Sequence, residues 1–170
     1  AEEIVKKHGR ADAYLAANVM CHIPYINSIV EGIKYLLKPD GVVVFEDPYL
    51  GDVIQNTTYD QIYDEHTFLF SVHSVQYLFR KFEMEVIDVE PQKTHGGSMR
   101  YIVAHKGAKE VSINVNKQLK YVKDLGLLDL ETYQEFSQKC EKSRFDLISL
   151  LNQIKAQGKS IAGYAATSKS

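Results

Sequence analysis

Cysteine is scarce in this chain: Cys21 and Cys140 are the only two. They lie far apart in no spaced motif, which excludes a disulfide framework and a zinc knuckle and fits reduced thiols in a cytosol. Basic excess is lacking as well. Lys and Arg number 20 against 22 Asp and Glu, for a formal charge of −2. Nothing in that balance points to nucleic acid or to an anionic membrane surface, and neither is expected as a partner. Apolar runs such as "GVVVFE" fall far short of the ~20 residues of a membrane span. No leader with a charged start, an apolar middle and a small-residue end opens the sequence, so a cytoplasmic location is expected.

Present instead is the composition of a globular protein, 45% hydrophobic and 25% charged over 170 residues. That length suits one ordinary domain or pieces of two. The first residue is Ala1, and Ser170 falls within what reads as a Gly-containing loop, so a piece of a longer chain is expected.

"AEEIVKKHGR" reads as the end of a polar-faced helix that stops at Gly9. "ADAYLAANV" is a short apolar run without helical period and predicts a buried strand. In "INSIVEGIKYLLKPDG", Ile26, Ile29, Val30, Ile33, Leu36 and Leu37 repeat at three and four, the mark of a helix face. Pro39 and Gly41 end it. "VVVFEDP" is a second strand, and the unbroken apolar run over 42–45 predicts burial on both faces. Strand, helix and strand in close succession form a βαβ unit with a right-handed crossover. Val72, Val75, Leu78 and Phe79 mark a further helix, and "MEVIDVEP" alternates with a period of two. "SMRYIVAHK" follows after the short loop "QKTHGG", as in a hairpin. Residues 1–109 thus read as α/β, the second half of a doubly wound sheet with an antiparallel strand at one edge. A boundary falls near Lys109. Residues 110–170 read as connector helices followed by the opening strand and small-residue loop of another α/β unit, "KSIAGYAATSKS". The longer helix carries Tyr133, Phe136, Cys140, Phe145, Ile148, Leu151 and Ile154 as its apolar or aromatic positions.

Ligands of open parallel sheets bind beyond the carboxyl ends of the strands. Asn18 and His22 follow the first predicted strand, and Glu46 and Asp47 end the second. "YDEH" comes a short connection later, a phenol, two carboxylates and an imidazole set against an aromatic run. The loop with His95, Gly96, Gly97, Ser98 and Arg100 leaves the third strand. Each stretch has an ordinary reading too. His22 suits a loop, Glu46 and Asp47 suit a solvated strand end, and Gly96 with Gly97 suits a tight turn. Their convergence on one rim is what points to a site. His66 and His73 are seven apart, which is not the His-Glu-x-x-His zinc spacing, and no metal ligation is expected from them. "GKS" at Gly158 is not a phosphate loop, because Gln153 stands where that motif needs Gly.

"NVMCHIPYINSIVEGIKYLLKPDGVVVFEDPYL", "IYDEHTFLFSVHSVQYLF" and "THGGSMRYIVA" resemble the class I S-adenosylmethionine-dependent C-methyltransferases of deoxysugar biosynthesis. The likeness runs through nearly the whole chain. Its Tyr-x-Glu-His and Gly-Gly-Ser-x-Arg motifs are specific, whereas "LLKPDGVVVFE" alone says only class I methyltransferase. "GYAATSKS" is similar to the start of the family's carboxyl-terminal Rossmann-like domain, with Ala165 in place of a usual Gly. The family's Cys-rich zinc-binding segment and its Gly-rich cofactor loop are not among these residues. The resemblance therefore implies a central fragment of an enzyme, with zinc held only in the absent amino-terminal segment and weak cofactor binding by this piece alone.

What the resemblance implies for the site is specific. His66, Glu65 and Tyr63 take catalytic roles, with His22 in support. Asn18, Ala17 and Val19 border S-adenosylmethionine. Gly96, Gly97, Ser98 and Arg100 meet a nucleotide-sugar substrate. The implied chemistry is removal of a C–H proton beside a ketone, then attack of the enolate carbon on the sulfonium methyl. Two other readings stay open: a methyltransferase-like module that binds a partner without catalysis, and an O- or N-methyltransferase of the same fold.

Overall fold

The computed structural model describes residues 1–164. Helix α1 spans Glu2–His8 and stops at Gly9, whose φ of 78° suits glycine. Strand β1 is Ala11–Ala17, α2 is Ile26–Leu36 and β2 is Leu37–Pro48. The stripe Ile26, Val30 and Ile33 is the buried face of α2, as its spacing requires. After it come α3, Leu50–Asn56, and α4, Val72–Arg80. Ser71 and Ser74 close the amino end of α4 reciprocally: the Ser74 amide donates to Ser71 Oγ at 3.2 Å, and the Ser71 amide to Ser74 Oγ at 2.9 Å. Strands β3, Met84–Gln92, and β4, Ser98–His105, form the expected hairpin. Helices α5, Ile113–Asp124, and α6, Leu130–Ala156, complete the described chain.

The four strands lie in the order β1-β2-β4-β3. β1 and β2 are parallel, and β4 is antiparallel to both β2 and β3. The α/β class read from the sequence stands, with one correction. The antiparallel strand is inside the sheet, and the edge beyond it is β3, which runs with β1 and β2. The connection through α3 and α4 sets β3 one strand's width beyond β2. The hairpin return, β4, fills that slot and takes ladder hydrogen bonds on both sides. The carboxyl ends of β1, β2 and β3 therefore share one rim with the start of β4.

Burial on both faces of β2 does not hold among the described residues. Val43 and Phe45 are sealed, whereas Val42 and Val44, which alternate with them, are partly exposed. Phe45 stacks on Tyr101 with ring centroids 4.8 Å apart and lies 5.9 Å from Phe79. The opposite face leaves Val44 and Ile102 partly open and Leu15 73% exposed, so β1 is no buried strand either. Gly41, at the start of β2, allows close approach to β1: a Cβ there would lie 3.0 Å from the Ala11 carbonyl oxygen.

Helix α5 packs against β3. The Ser112 amide donates to the Ile87 carbonyl at 2.8 Å, and Val115 enters the main core. Val53, Ile54, Val122, Leu127 and Phe136 form a second cluster joining α3, α5 and the first turns of α6. Farther along α6, Phe145, Leu147, Ile148 and Leu150 are exposed. Residues 161–164 form no strand, and the rest of the predicted loop lies outside the described residues. No described helix is long and apolar enough to cross a membrane.

Candidate active site

At the end of β1 the chain must leave the sheet sharply. Asn18 does this with φ 53°, a left-handed conformation that Asn tolerates, while its amide donates to the Glu46 carbonyl at 2.7 Å. A 3-10 turn over Met20–His22 follows. It buries Met20 and Cys21 and turns His22 outward. A second 3-10 turn, Tyr59–Gln61, leads into the Tyr63 to His66 turn, closed by the His66 amide donating to the Tyr63 carbonyl at 3.0 Å.

These turns meet in a cavity of about 190 Å³ lined by Asn18, His22, Pro48, Gln61, Tyr63, His66 and His95. Both inner imidazoles are held by backbone carbonyls. His66 Nδ1 lies 2.8 Å from the Gln61 carbonyl oxygen, and His22 Nδ1 lies 2.8 Å from that of Glu65. A carbonyl only accepts, so each Nδ1 carries a proton, and in the neutral form of either ring Nε2 is the basic nitrogen. The Tyr63 hydroxyl donates to His66 Nε2 at 3.2 Å. Burial, then the charge of Glu65, holds that phenol above its usual range and keeps it a donor. The two imidazoles meet edge to face, centroids 4.9 Å apart.

Asp47, fully buried at the end of β2, precedes the cavity-lining Pro48. Its oxygens make no full hydrogen bond. Burial pushes its carboxyl up, while the Cys21 thiol, the amides of Cys21 and Val19 and the His22 ring pull it partly back. Burial likewise pushes the Cys21 thiol up, and Asp47 beside it adds to that.

The other residues named from the sequence are placed differently. The Glu65 side chain is exposed and does not line the cavity; it is the Glu65 carbonyl that orients His22. Val19 is 42% exposed. Ala17 and Arg100 border a separate opening of about 400 Å³ on the open sheet face. There Arg100 pairs with Glu46 and Glu90, both at 3.0 Å. Ser98 is buried and donates its hydroxyl to the Thr94 carbonyl at 3.1 Å. Gly96 and Gly97, with φ 81° and 132°, shape the turn that brings His95 to the cavity. At Gly97 a Cβ would fall 2.3 Å from the Asp52 carboxylate, so only glycine fits. Gln61, Pro48 and His95 line the cavity without having been named as site residues. His95 lay within a loop already singled out, but nothing in the local sequence signals that the Gln61 carbonyl would hold an imidazole.

Two family comparisons divide the chain. The methyltransferase domain family matches residues 1–89, and the C-methyltransferase C-terminal domain family matches residues 93–170. The C-methyltransferase NovU of Streptomyces niveus is 35% identical over 169 residues, which are 99% of this chain and 40% of that protein. The chain therefore spans about two fifths of the length of that curated relative. Among solved structures, a chain from the complex of the Haloferax volcanii Trm112 methyltransferase activator with a methyltransferase aligns with a TM-score of 0.47. It has 13% identity and covers 57% of this chain and 55% of its own. An arsenic(III) S-adenosylmethionine methyltransferase from Chlamydomonas reinhardtii aligns with a TM-score of 0.42. It has 15% identity and covers 63% of this chain and 43% of its own.

Proposed function

Since the chain belongs to the methyltransferase domain family, we propose that its protein is an S-adenosylmethionine-dependent C-methyltransferase acting on a nucleotide-linked keto-deoxysugar. One observation carries the reading. His66 presents Nε2 to a cavity with its tautomer set by the Gln61 carbonyl and its ring steadied by Tyr63. That is how a general base is held for removal of a proton beside a ketone.

The lining suits a cationic methyl donor. It contains no Lys or Arg. Asn18 at the end of β1 would border the donor, which supplies an electrophilic methyl on positive sulfur. A volume of about 190 Å³ accommodates the reacting end of a sugar, well short of the ~300–1,000 Å³ of a complete small-molecule pocket. The C–H bond breaks, its proton moves to His66 Nε2 as the Tyr63 hydroxyl gives up that position, and its electron pair becomes the enolate. The carbon–methyl bond then forms as the methyl–sulfur bond breaks, its pair going to sulfur. His22, its Nδ1 held by the Glu65 carbonyl, lines the same cavity in a supporting position.

The test uses the intact protein of which this chain is part, with methyl-labelled S-adenosylmethionine and a nucleotide-linked keto-deoxysugar. Label on a ring carbon of the sugar supports the reading. Label on oxygen or nitrogen, or no transfer by a folded, cofactor-binding protein, contradicts it.

A further inference from the structure

Cys21 belongs to no spaced motif and has no place in the chemistry above, yet it adjoins both imidazoles. One ligand atom each from Cys21, His22 and His66 lies within 4.8 Å of the other two. Cys21 and His22 are consecutive in the 3-10 turn over Met20–His22, and His66 arrives from the far side of the cavity, its ring 4.9 Å from that of His22. Both rings give Nδ1 to a backbone carbonyl at 2.8 Å. That bond fixes the tautomer and ring orientation of metal-binding histidines and leaves Nε2 as the ligand.

We propose that Cys21, His22 and His66 form a three-ligand site for a borderline-soft divalent ion of the zinc class. One thiolate and two imidazoles select zinc or cobalt over magnesium or calcium, which take oxygen ligands. Three protein ligands leave the fourth tetrahedral position to water. Bonds of about 2.0–2.3 Å require the three atoms to close somewhat, by rotation of side chains at the cavity wall. On binding, the Cys21 S–H bond is replaced by a sulfur–metal bond, and the thiol proton leaves to solvent. Each imidazole contributes its Nε2 lone pair. At His66 the ion displaces the Tyr63 hydroxyl from Nε2. Binding does not depend on the methyl-transfer reading. If that reading holds, the ion occupies the base and inhibits the enzyme.

Cobalt(II), titrated into the reduced 170-residue chain, is the probe, because thiolate-bound cobalt gives a charge-transfer absorption that nitrogen and oxygen ligands do not. The expected result is one cobalt per chain, with that band, a proton released and displacement by zinc. Cys21→Ser is expected to lose the band and Cys140→Ser to keep it. Cys21 is sealed and its variant must be checked for folding, so His22→Gln and His66→Gln at the cavity wall give a second arm. Each is expected to keep the band but weaken binding by roughly tenfold or more. Three results would overturn the proposal: no cobalt taken up by the folded chain, a band that survives Cys21→Ser or disappears in Cys140→Ser, or affinity unchanged in both histidine variants.

Discussion

The two faces of the sheet carry similar apolar residues and are packed very differently. Under α4 and α5, Val43, Phe45, Tyr101 and Val103 are sealed, each at most 1% exposed. Across the sheet, Leu15 is largely exposed, Val42, Val44 and Ile102 are partly so, and Arg100 bridges Glu46 and Glu90. The same βαβ framework thus has one face bound into a core and one left accessible. Adjacent residues of a single strand should then respond very differently to the same substitution.

The largest contrast is between Val43→Asp and Val44→Asp. An unpaired charge at Val43 costs several kcal/mol, on the order of a small domain's stability, so that chain should not fold. Val44→Asp should cost about 1–2 kcal/mol, from lost strand propensity and partial burial. Thermal melts of the two check this. Equal damage in a longer form of the protein would show that the open face is covered there. Next, Phe45→Ala removes a ring stacked between Tyr101 and Phe79 and should cost about 3–5 kcal/mol. Leu15→Ala on the open face should cost no more than about 0.5 kcal/mol. Denaturant midpoints separate them.

A smaller effect concerns pH. Burial raises the folded-state pKa of Asp47 above its unfolded value, so the folded chain binds that proton more tightly. That stability is complete below the unfolded value of about 3.9 and is lost as pH rises through the folded value. Asp47→Asn should therefore melt higher than the parent at neutral pH, with the gap closing as the pH falls toward about 4. The smallest effect belongs to the open face. Glu46→Gln loosens a partly exposed ion pair with Arg100 and should cost about 0–1 kcal/mol, less in high salt.

The face that is covered could be anticipated in outline. The spacing in α2 and α4 and the alternation in β3 announce elements that the structure contains. The rule that ligands gather at the carboxyl ends of parallel strands brings Asn18, His22, Tyr63 and His66 to one cavity. The open face could not be anticipated, because an apolar run reads the same whether one side of it is covered or two. Nor could the interior place of β4, which depends on how far α3 and α4 carry the chain sideways. Arg100 looks from its motif like a ligand for substrate. Strand register sets it beside Glu46 and Glu90, and register is not visible in one strand's sequence. The carbonyls of Gln61 and Glu65, which orient the two imidazoles, leave no side-chain signature at all.

The central claim is that His66 is the base. It is tested most directly by exchange of the sugar's α-proton in deuterated water, measured on the intact protein and its His66→Ala variant. A general base contributes about 10²–10⁴-fold, so the variant should lose at least about a hundredfold in exchange and in methylation together. Its affinity for S-adenosylmethionine should change little, because the imidazole serves the sugar. Exchange that continues unchanged in a folded, cofactor-binding His66→Ala protein would contradict the account.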